Sequence, residues 1–147
     1  MMMKTILALV DFSDVTPKIV TQAQMLAQAF HSRVILLHGL PKDPRVIDLG
    51  LVSPIVYVKP NEESVEAGFA KLQKLAEPMT TSGIKVSMVE LRGATVEHIV
   101  AVAQKHEADL IIVGTHHHNA FYNLIIGSIT DEVLKRASCP VLVVPNN

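Results

Sequence analysis

Five segments of the chain are rich in apolar residues and short enough to be β-strands. Four are nearly continuous apolar runs, which is the pattern of parallel strands buried on both faces. The fifth, Ile84–Leu91, alternates apolar and polar residues and is therefore predicted to be an edge strand. The four continuous runs are Ile6–Val10, Arg33–His38, Asp109–Val113 and Val141–Val144.

Apolar residues at helical spacing lie between these strands and predict amphipathic helices. The first begins at Thr16-Pro17, a capping hydroxyl before a proline, and its buried face ends at Phe30. The second has Phe69 on its buried face, Pro78 as a kink or stop, and Gly83 as its C-terminal cap. The predicted spans are Thr16–Phe30, about Asn61–Ser82, Thr95–His106 and about Ser128–Ala137.

The alternation of strands and helices predicts an α/β fold. Strands joined through helices run parallel, so we expect a Rossmann-like, doubly wound parallel sheet of five strands with about four helices on its faces. At 147 residues the chain suits a single domain, 1–147. We find no internal repeat, linker or low-complexity tract that would divide it.

Between the second strand and the second helix, periodicity breaks down. Prolines and glycines punctuate Gly39–Lys59, which predicts a long loop with a functional or lid-like role. Within it, Ile55–Val58 is either a short strand or an apolar contact.

The composition excludes several classes of function. The net charge is −1 and the basic residues are scattered, which argues against a nucleic-acid surface. Four Phe, two Tyr and no Trp are too few for a base-stacking platform. No apolar run reaches the length of a membrane span or a secretory signal, so a cytoplasmic location is expected.

The only cysteine, Cys139, excludes an intrachain disulfide and fits a reducing compartment. It precedes an apolar strand, and no motif places a base beside it. We therefore expect a packing residue rather than a nucleophile.

Residues that follow the strands are the candidates for ligand binding, because ligands of such sheets bind beyond the strands' carboxyl ends. Asp11 and Gly39 follow the first two strands, and a loop from Gly114 to Gly127-Ser128 follows the fourth. Glycine lets a backbone approach an anion, and a helix start offers unpaired N–H groups, so this loop predicts a phosphate site. For Asp11 we favour ligand contact over turn capping. Ser128 either contacts phosphate or forms a capping box with Asp131.

These motifs resemble those of the universal stress protein family along essentially the whole chain. The family's loop pattern, G-x2-G-x9-G-[ST], is matched by Gly114 and Gly127-Ser128, with His117 at the second glycine position. The first strand ends in Val10-Asp11-Phe12-Ser13, similar to the family's V-D-x-S. The segments ADLIIVG and RASCPVLVVP are also typical of the family.

The resemblance implies a five-stranded parallel sheet of order 3-2-1-4-5 and binding of ATP or AMP by a sensor or regulatory module of the stress response. It also implies a homodimer formed through Val141–Val144. Whether Mg²⁺ accompanies the nucleotide stays open. The implied adenine-end residues are Val10, Asp11 and Gly39, and the implied phosphate-end residues are Gly114, Gly127, Ser128, Ile129 and Thr130.

Two departures from the family pattern keep an alternative open. His117 places an imidazole where close phosphate approach is expected, and no Lys or Arg lies between Gly114 and Lys135. His116 occupies the position that often carries the basic residue, and its imidazolium is the candidate substitute. The alternative is a dimeric interaction scaffold that binds no nucleotide.

The run His116-His117-His118 also invites comparison with a metal site. Consecutive loop side chains rarely converge on one ion, so we expect no metal there. A nucleotide hydrolase or transferase is the weakest hypothesis, because the sequence offers no P-loop, catalytic triad or paired carboxylates. We expect no catalytic residue, and the downstream partner stays unidentified.

Overall fold

The computed structural model describes residues 2–40, 45–47, 56–58, 62–92, 96–115 and 130–146. The strands are β1 (Thr5–Val10), β2 (Arg33–Leu40), β3 (Arg45–Ile47), β4 (Val56–Val58), β5 (Val86–Arg92), β6 (Leu110–Gly114) and β7 (Val141–Val144). The helices are α1 (Thr16–Phe30), α2 (Glu62–Thr81), α3 (Val96–Lys105) and α4, which is described over residues 130–136.

Five of the strands form one parallel sheet in the order β5-β2-β1-β6-β7. Numbered along the chain within that sheet, this is 3-2-1-4-5, so the predicted Rossmann-like α/β architecture is confirmed. The alternating strand β5 lies at one edge, as its pattern predicts. The continuous apolar strands β1, β2 and β6 occupy the interior.

The strand order reverses beside β1, and there β1 and β6 stop pairing before the carboxyl end of β1. β1 pairs with β2 along its whole length, ending at Val10 opposite His38. Its pairing with β6 ends earlier, at Ala8 opposite Ile112. Beyond that pair the carboxyl ends of β1 and β6 separate, which creates the crevice where α/β sheets bind ligands.

Two apolar layers cover the sheet. Successive residues of β1, such as Ile6 and Leu7, point to opposite faces of the sheet, and both side chains are fully buried. On one face the core includes Ile19 of α1 and Leu72 of α2. On the other it includes Ile99 of α3 and Val133 of α4. Burying one such side chain contributes about 1.5–3 kcal/mol, so the two layers hold the helices on the sheet.

Two helix predictions fail at exposed aromatic residues. Phe30 is 51% exposed and Phe69 is 41% exposed, although both fit the apolar period of their helices. Phe30 ends α1 next to His31, which adopts a left-handed conformation. At these two positions the helical period of apolar residues does not correspond to burial.

The helix ends also differ from prediction. The N-cap of α1 is Val15, which makes no capping hydrogen bond, whereas Thr16 is buried inside the helix. α2 does not stop at Pro78 but continues to Thr81. Gly83 follows with a φ of +87°, as expected of a glycine cap.

The segment predicted as a loop, Gly39–Lys59, is partly ordered into strands. Gly39 belongs to β2, and β3 pairs antiparallel with β4 in a two-stranded sheet. Of the two options for Ile55–Val58, a short strand is confirmed for residues 56–58. The rest of the segment lies outside the described residues, and its lid-like role stays a prediction. No helix in the described ranges is long and apolar enough to cross a membrane.

Gly114, at the end of β6, is in close contact with α1. A Cβ at this position would lie 2.7 Å from Val15 Cγ1 and 2.9 Å from Ile19 Cδ1, well inside normal contact distance. The sequence suggested that this glycine allows an anion to approach. The structure shows a second reason for glycine at this position, because the first turn of α1 rests directly on the strand and leaves no room for a side chain.

We therefore expect Gly114→Ala to destabilise the protein by about 1–3 kcal/mol, the usual cost of overpacking a core. The free energy of unfolding in urea measures this loss. Val15→Ala removes the nearest clashing atoms, so the loss caused by Gly114→Ala should be smaller in a Val15→Ala background. Fully additive losses would contradict the packing role.

Candidate nucleotide site at the carboxyl edge

Asp11 lies immediately beyond buried Val10, at the tip of β1, and its side chain is exposed. Its Oδ1 accepts hydrogen bonds from the backbone N–H of Ser13 at 2.9 Å and from the hydroxyl of Thr16 at 3.3 Å. These bonds form an Asx turn that leads the chain from β1 into α1. The turn-capping role considered for Asp11 is therefore present, and it fixes the carboxylate at the rim of the crevice.

Phe12, the next residue, has a φ of +62°. A bulky side chain rarely adopts this left-handed conformation, which costs on the order of 1–2 kcal/mol. The conformation reverses the chain sharply enough for α1 to begin at Thr16.

The Phe12 ring packs on His38 of β2, with ring centroids 4.3 Å apart and ring planes inclined by 39°. The ammonium of Lys71 lies 5.3 Å from the Phe12 ring centroid, within cation–π range. Strand register explains the first contact, because His38 is opposite Val10 in the β1–β2 ladder.

His38 is also paired with a carboxylate. Its Nδ1 lies 3.2 Å from Oε1 of Glu90, and the two side chains are only 12% and 8% exposed. A Cβ at Gly68 of α2 would overlap that carboxylate oxygen, so a larger residue at this point of the helix would displace the Glu90 carboxylate. We call Phe12, His38, Gly68, Lys71 and Glu90 the Phe12 cluster.

Two buried polar atoms have no hydrogen-bond partner within the described ranges: Ser13 Oγ and Glu90 Oε2. Ser13 belongs to the Asx turn and Glu90 to the Phe12 cluster, so both lie at the carboxyl edge of the sheet. An unpaired buried polar group costs about 1–3 kcal/mol. Such groups are rare in folded proteins, and each therefore calls for a specific explanation.

On the other side of the crevice, Thr130 connects α4 to β6. Its hydroxyl donates to the carbonyl of Gly114 at 3.2 Å. The adjacent Thr115 donates its backbone N–H to Val144 of β7 at 3.0 Å, and its hydroxyl accepts from the N–H of Asn146 at 3.3 Å. Gly114 and Thr130 therefore lie together on this side, and Thr130 already uses its hydroxyl within the protein.

The structure thus brings part of the predicted site to one edge. Val10 ends β1, Asp11 follows it, and Gly39 lies near the end of the adjacent β2, while Thr130 meets Gly114 at the end of β6. The other predicted residues, His116, His117, Gly127, Ser128 and Ile129, lie outside the described residues.

The Phe12 cluster was not predicted from the sequence. Two signals point toward it: His38 ends an otherwise apolar strand, and Glu90 lies in the predicted edge strand Ile84–Leu91. Neither signal reveals the pairing, which depends on the register that places His38 opposite Glu90.

A separate cavity of about 910 Å³ lies at the opposite, amino-terminal edge of the sheet. Lys4, Arg33 and Lys85 line it together with His31 and His106. Arg33 is held in place by its bonds to the Thr5 hydroxyl at 2.8 Å and the His106 carbonyl at 2.9 Å.

The basic residues of this cavity have a structural explanation. Helices α1, α2 and α3 all end there, and a helix C-terminus carries a partial negative charge that cations stabilise. Asp109, just before β6, accepts hydrogen bonds from the N–H groups of Lys4 and Thr5 and so ties β1 to β6. Three helix C-termini make this edge a poor site for an anion.

The described residues contain no group of three or more His, Cys, Asp or Glu side chains able to hold a metal ion. The histidine run at 116–118 lies outside them, so the expectation of no metal there stays a prediction.

A family model of the universal stress proteins matches residues 2–145. The chain belongs to the universal stress protein family. It is 31% identical over 141 residues to universal stress protein MJ0531 of Methanocaldococcus jannaschii, covering 96% of this chain and 81% of that protein. It is also 31% identical over 145 residues to a universal stress protein of Thermus aquaticus, covering 97% and 99%.

Solved structures share the universal stress protein fold. That of MJ0577 from Methanocaldococcus jannaschii aligns with a TM-score of 0.77 at 24% identity, covering 100% of this chain and 99% of that one. A universal stress protein in complex with cAMP aligns at 0.73 and 20% identity, covering 100% of both chains. One from Archaeoglobus fulgidus in complex with dAMP aligns at 0.68 and 20% identity, covering 98% and 99%. At these identities the likeness shows the fold alone.

Cys139 of this universal stress protein lies partly buried among the apolar residues under α3 and α4, as a packing residue would. Burial, followed by the nearby charge of Asp109, raises the pKa of its thiol above the usual value. Less of the reactive thiolate is then present at neutral pH.

We expect Cys139 to be alkylated by iodoacetamide several-fold more slowly at pH 7.5 than a free cysteine, with a rate profile displaced to higher pH. Asp109→Asn removes one cause of the raised pKa while keeping an acceptor for the two backbone amides, so it should accelerate alkylation. Mass spectrometry of timed samples measures the rate. Alkylation as fast as that of free cysteine would contradict this account.

Proposed function

We propose that this universal stress protein binds an adenine nucleotide, ATP or AMP, at the carboxyl edge of its sheet and acts as a sensor or regulatory module in the stress response. The observation that carries the proposal is the opening between β1 and β6 with the exposed carboxylate of Asp11 fixed at its rim. The relatives of the same fold in complex with cAMP and dAMP support the choice of an adenine nucleotide.

In this proposal the base and ribose lie beside β1 and β2. The Asp11 carboxylate accepts hydrogen bonds from the adenine amino group or from a ribose hydroxyl. Gly39, exposed on β2 at the same edge, leaves room for the base to lie against the backbone. Val10 closes the floor between them with a buried side chain.

The phosphates are assigned to the segment just before Thr130. We assign them to the backbone amides of Gly127, Ser128 and Ile129, because the sequence predicts a helix start at about Ser128 and a helix N-terminus attracts anions. Gly114 and Thr130 act as the support, since α1 covers the Gly114 Cα and the Thr130 hydroxyl is bonded to its carbonyl. Because this loop contains no Lys or Arg, protonated His116 or His117 supplies the positive charge.

We assign no protein ligands to Mg²⁺. The described residues hold no group of metal-binding side chains, and Mg²⁺ usually binds nucleotides through their phosphates while keeping several waters. The chain's own contribution is to bind and orient the nucleotide, and we propose no reaction. A cytoplasmic location fits this ligand and remains part of the proposal.

Calorimetric titration tests this proposal. We expect the wild-type protein to bind ATP or AMP, and Asp11→Asn to weaken binding by about tenfold, because a hydrogen bond to a charged group is worth roughly 1.4 kcal/mol more than a neutral one. Asp11→Asn keeps an oxygen for the Ser13 amide and so spares the turn. Glu77→Gln, an exposed change on α2, is the matched control and should bind as the wild type does.

The absence of heat and of a thermal shift at millimolar nucleotide would sink the binding proposal. The alternative, a dimeric interaction scaffold that binds no nucleotide, would then take its place.

We further propose that two copies associate through β7. This strand is last in the sheet order, and Val141, Leu142 and Val143 are only partly buried. An edge strand with apolar side chains and unpaired backbone groups favours pairing with a second chain. Two β7 strands related by a twofold axis would run antiparallel and join the two sheets.

Sedimentation velocity at micromolar concentrations measures the association. We expect the wild-type protein to be a dimer and Val143→Arg to be largely monomeric, because two opposed arginines repel and cannot be buried unpaired. Gln28→Arg, an exposed substitution that adds the same single positive charge at the amino-terminal edge, should remain dimeric. A monomeric wild-type protein, or a dimer that tolerates Val143→Arg, would exclude this interface.

A further inference from the structure

The strained conformation of Phe12 is the starting point. Outside glycine, asparagine and aspartate, a positive φ persists only where surrounding contacts fix it, and such residues concentrate at functional sites. Phe12 directly follows Asp11, on which the proposed function depends. Its ring packs on His38 and against the apolar core and lies within cation–π range of Lys71, and these contacts can hold the conformation.

Beneath the ring, the Phe12 cluster contains a polar pair in an otherwise apolar layer. His38 and Glu90 lie on the same face of the sheet as Leu36 and Met88, which pack with the apolar core there. Replacing both members of a partly buried hydrogen-bonded pair by apolar groups of the same shape is usually nearly neutral or stabilising. Glu90 also keeps one oxygen without a partner in the described part of the chain. Stability alone therefore does not explain this pair.

Helix α2 is adapted to the same pair. Gly68 is buried within the helix, where glycine is a poor helix former, and the Glu90 carboxylate occupies the space that the Cβ of a larger residue would take. One turn later Lys71 reaches over the Phe12 ring. Helix α2 therefore meets the Glu90 carboxylate at Gly68 and the Phe12 ring at Lys71.

We propose that the Phe12 cluster positions Asp11 for its ligand, with Glu90 and His38 acting through Phe12 as positioning residues. Glu90 orients the His38 imidazole, the imidazole supports the Phe12 ring, and the ring holds the left-handed turn that presents the Asp11 carboxylate. Neither Glu90 nor His38 touches the nucleotide in this arrangement. The effect on affinity rests on the proposed nucleotide function, whereas the effect on the turn does not.

The experiment therefore has two readouts. Hydrogen exchange of the Ser13 amide, measured by NMR, reports the turn directly because this amide donates to Asp11 Oδ1. Calorimetric titration with AMP reports the site. The variants are Phe12→Ala, which removes the ring and keeps the cost of a positive φ, Glu90→Ala, and the conservative Glu90→Gln, which can still bond to His38.

Val133→Ala is the control for general destabilisation. Val133 is fully buried on the opposite face of the sheet, away from the Phe12 cluster. We expect Phe12→Ala and Glu90→Ala to speed Ser13 exchange and weaken AMP binding by about tenfold each, a change of roughly 1.4 kcal/mol, beyond any change in Val133→Ala. Glu90→Gln should restore most of both losses.

Unchanged Ser13 exchange in Phe12→Ala and Glu90→Ala, or a change no larger than in Val133→Ala, would overturn the positioning role and leave the cluster as packing only. Faster exchange with unaltered AMP affinity would also overturn it, since the turn would then not matter to the ligand. If the wild-type protein binds neither AMP nor ATP, the nucleotide function fails, and with it the claim that the cluster serves a ligand. The exchange measurement still decides separately whether the cluster holds the turn.

Discussion

The contact of α1 with the end of β6 shapes the carboxyl edge of this protein. Because Gly114 has no Cβ, Val15 and Ile19 rest directly on the strand, and α1 begins at Thr16. Only residues 11–15 remain to connect buried β1 with the helix. A connection this short has to reverse sharply, and the left-handed Phe12 and the Asx turn of Asp11 accomplish the reversal.

That reversal has consequences on both sides of β1. Toward β6 it leaves the crevice that begins beyond Ala8. Toward β2 it sets the Phe12 ring on His38, and the carboxylate of its partner Glu90 occupies the space beside Gly68. Two glycines, in a strand and in a helix, therefore admit close approaches that together position one carboxylate. The opposite edge differs in character, because its basic side chains neutralise helix C-termini.

The sequence predicted the sheet well because buried parallel strands are continuous apolar runs that can be recognised without knowing their neighbours. Helical periodicity was less informative: it identifies which face turns inward but not how far the sheet extends beneath the helix, so Phe30 and Phe69 were wrongly placed in the core. A glycine pattern likewise cannot distinguish the approach of a ligand from that of a helix, which is why the packing role of Gly114 became visible only in three dimensions.

The candidate site was predictable to the extent that it follows strand ends. Asp11 and Gly39 were located by their position in the chain, since parallel strands bring their carboxyl ends to one edge. The Phe12 cluster was not predictable, because residues from β1, β2, α2 and β5 meet only through strand register and helix packing.

The most direct test of the carboxyl-edge site is an NMR titration of the labelled protein with AMP. The account predicts that the amide signals of Asp11, Phe12, Ser13 and Thr115 shift most, while those of Lys4, Arg33 and Lys85 at the amino-terminal edge stay in place. Shifts concentrated on the amino-terminal residues would place the ligand in the other cavity and contradict the account.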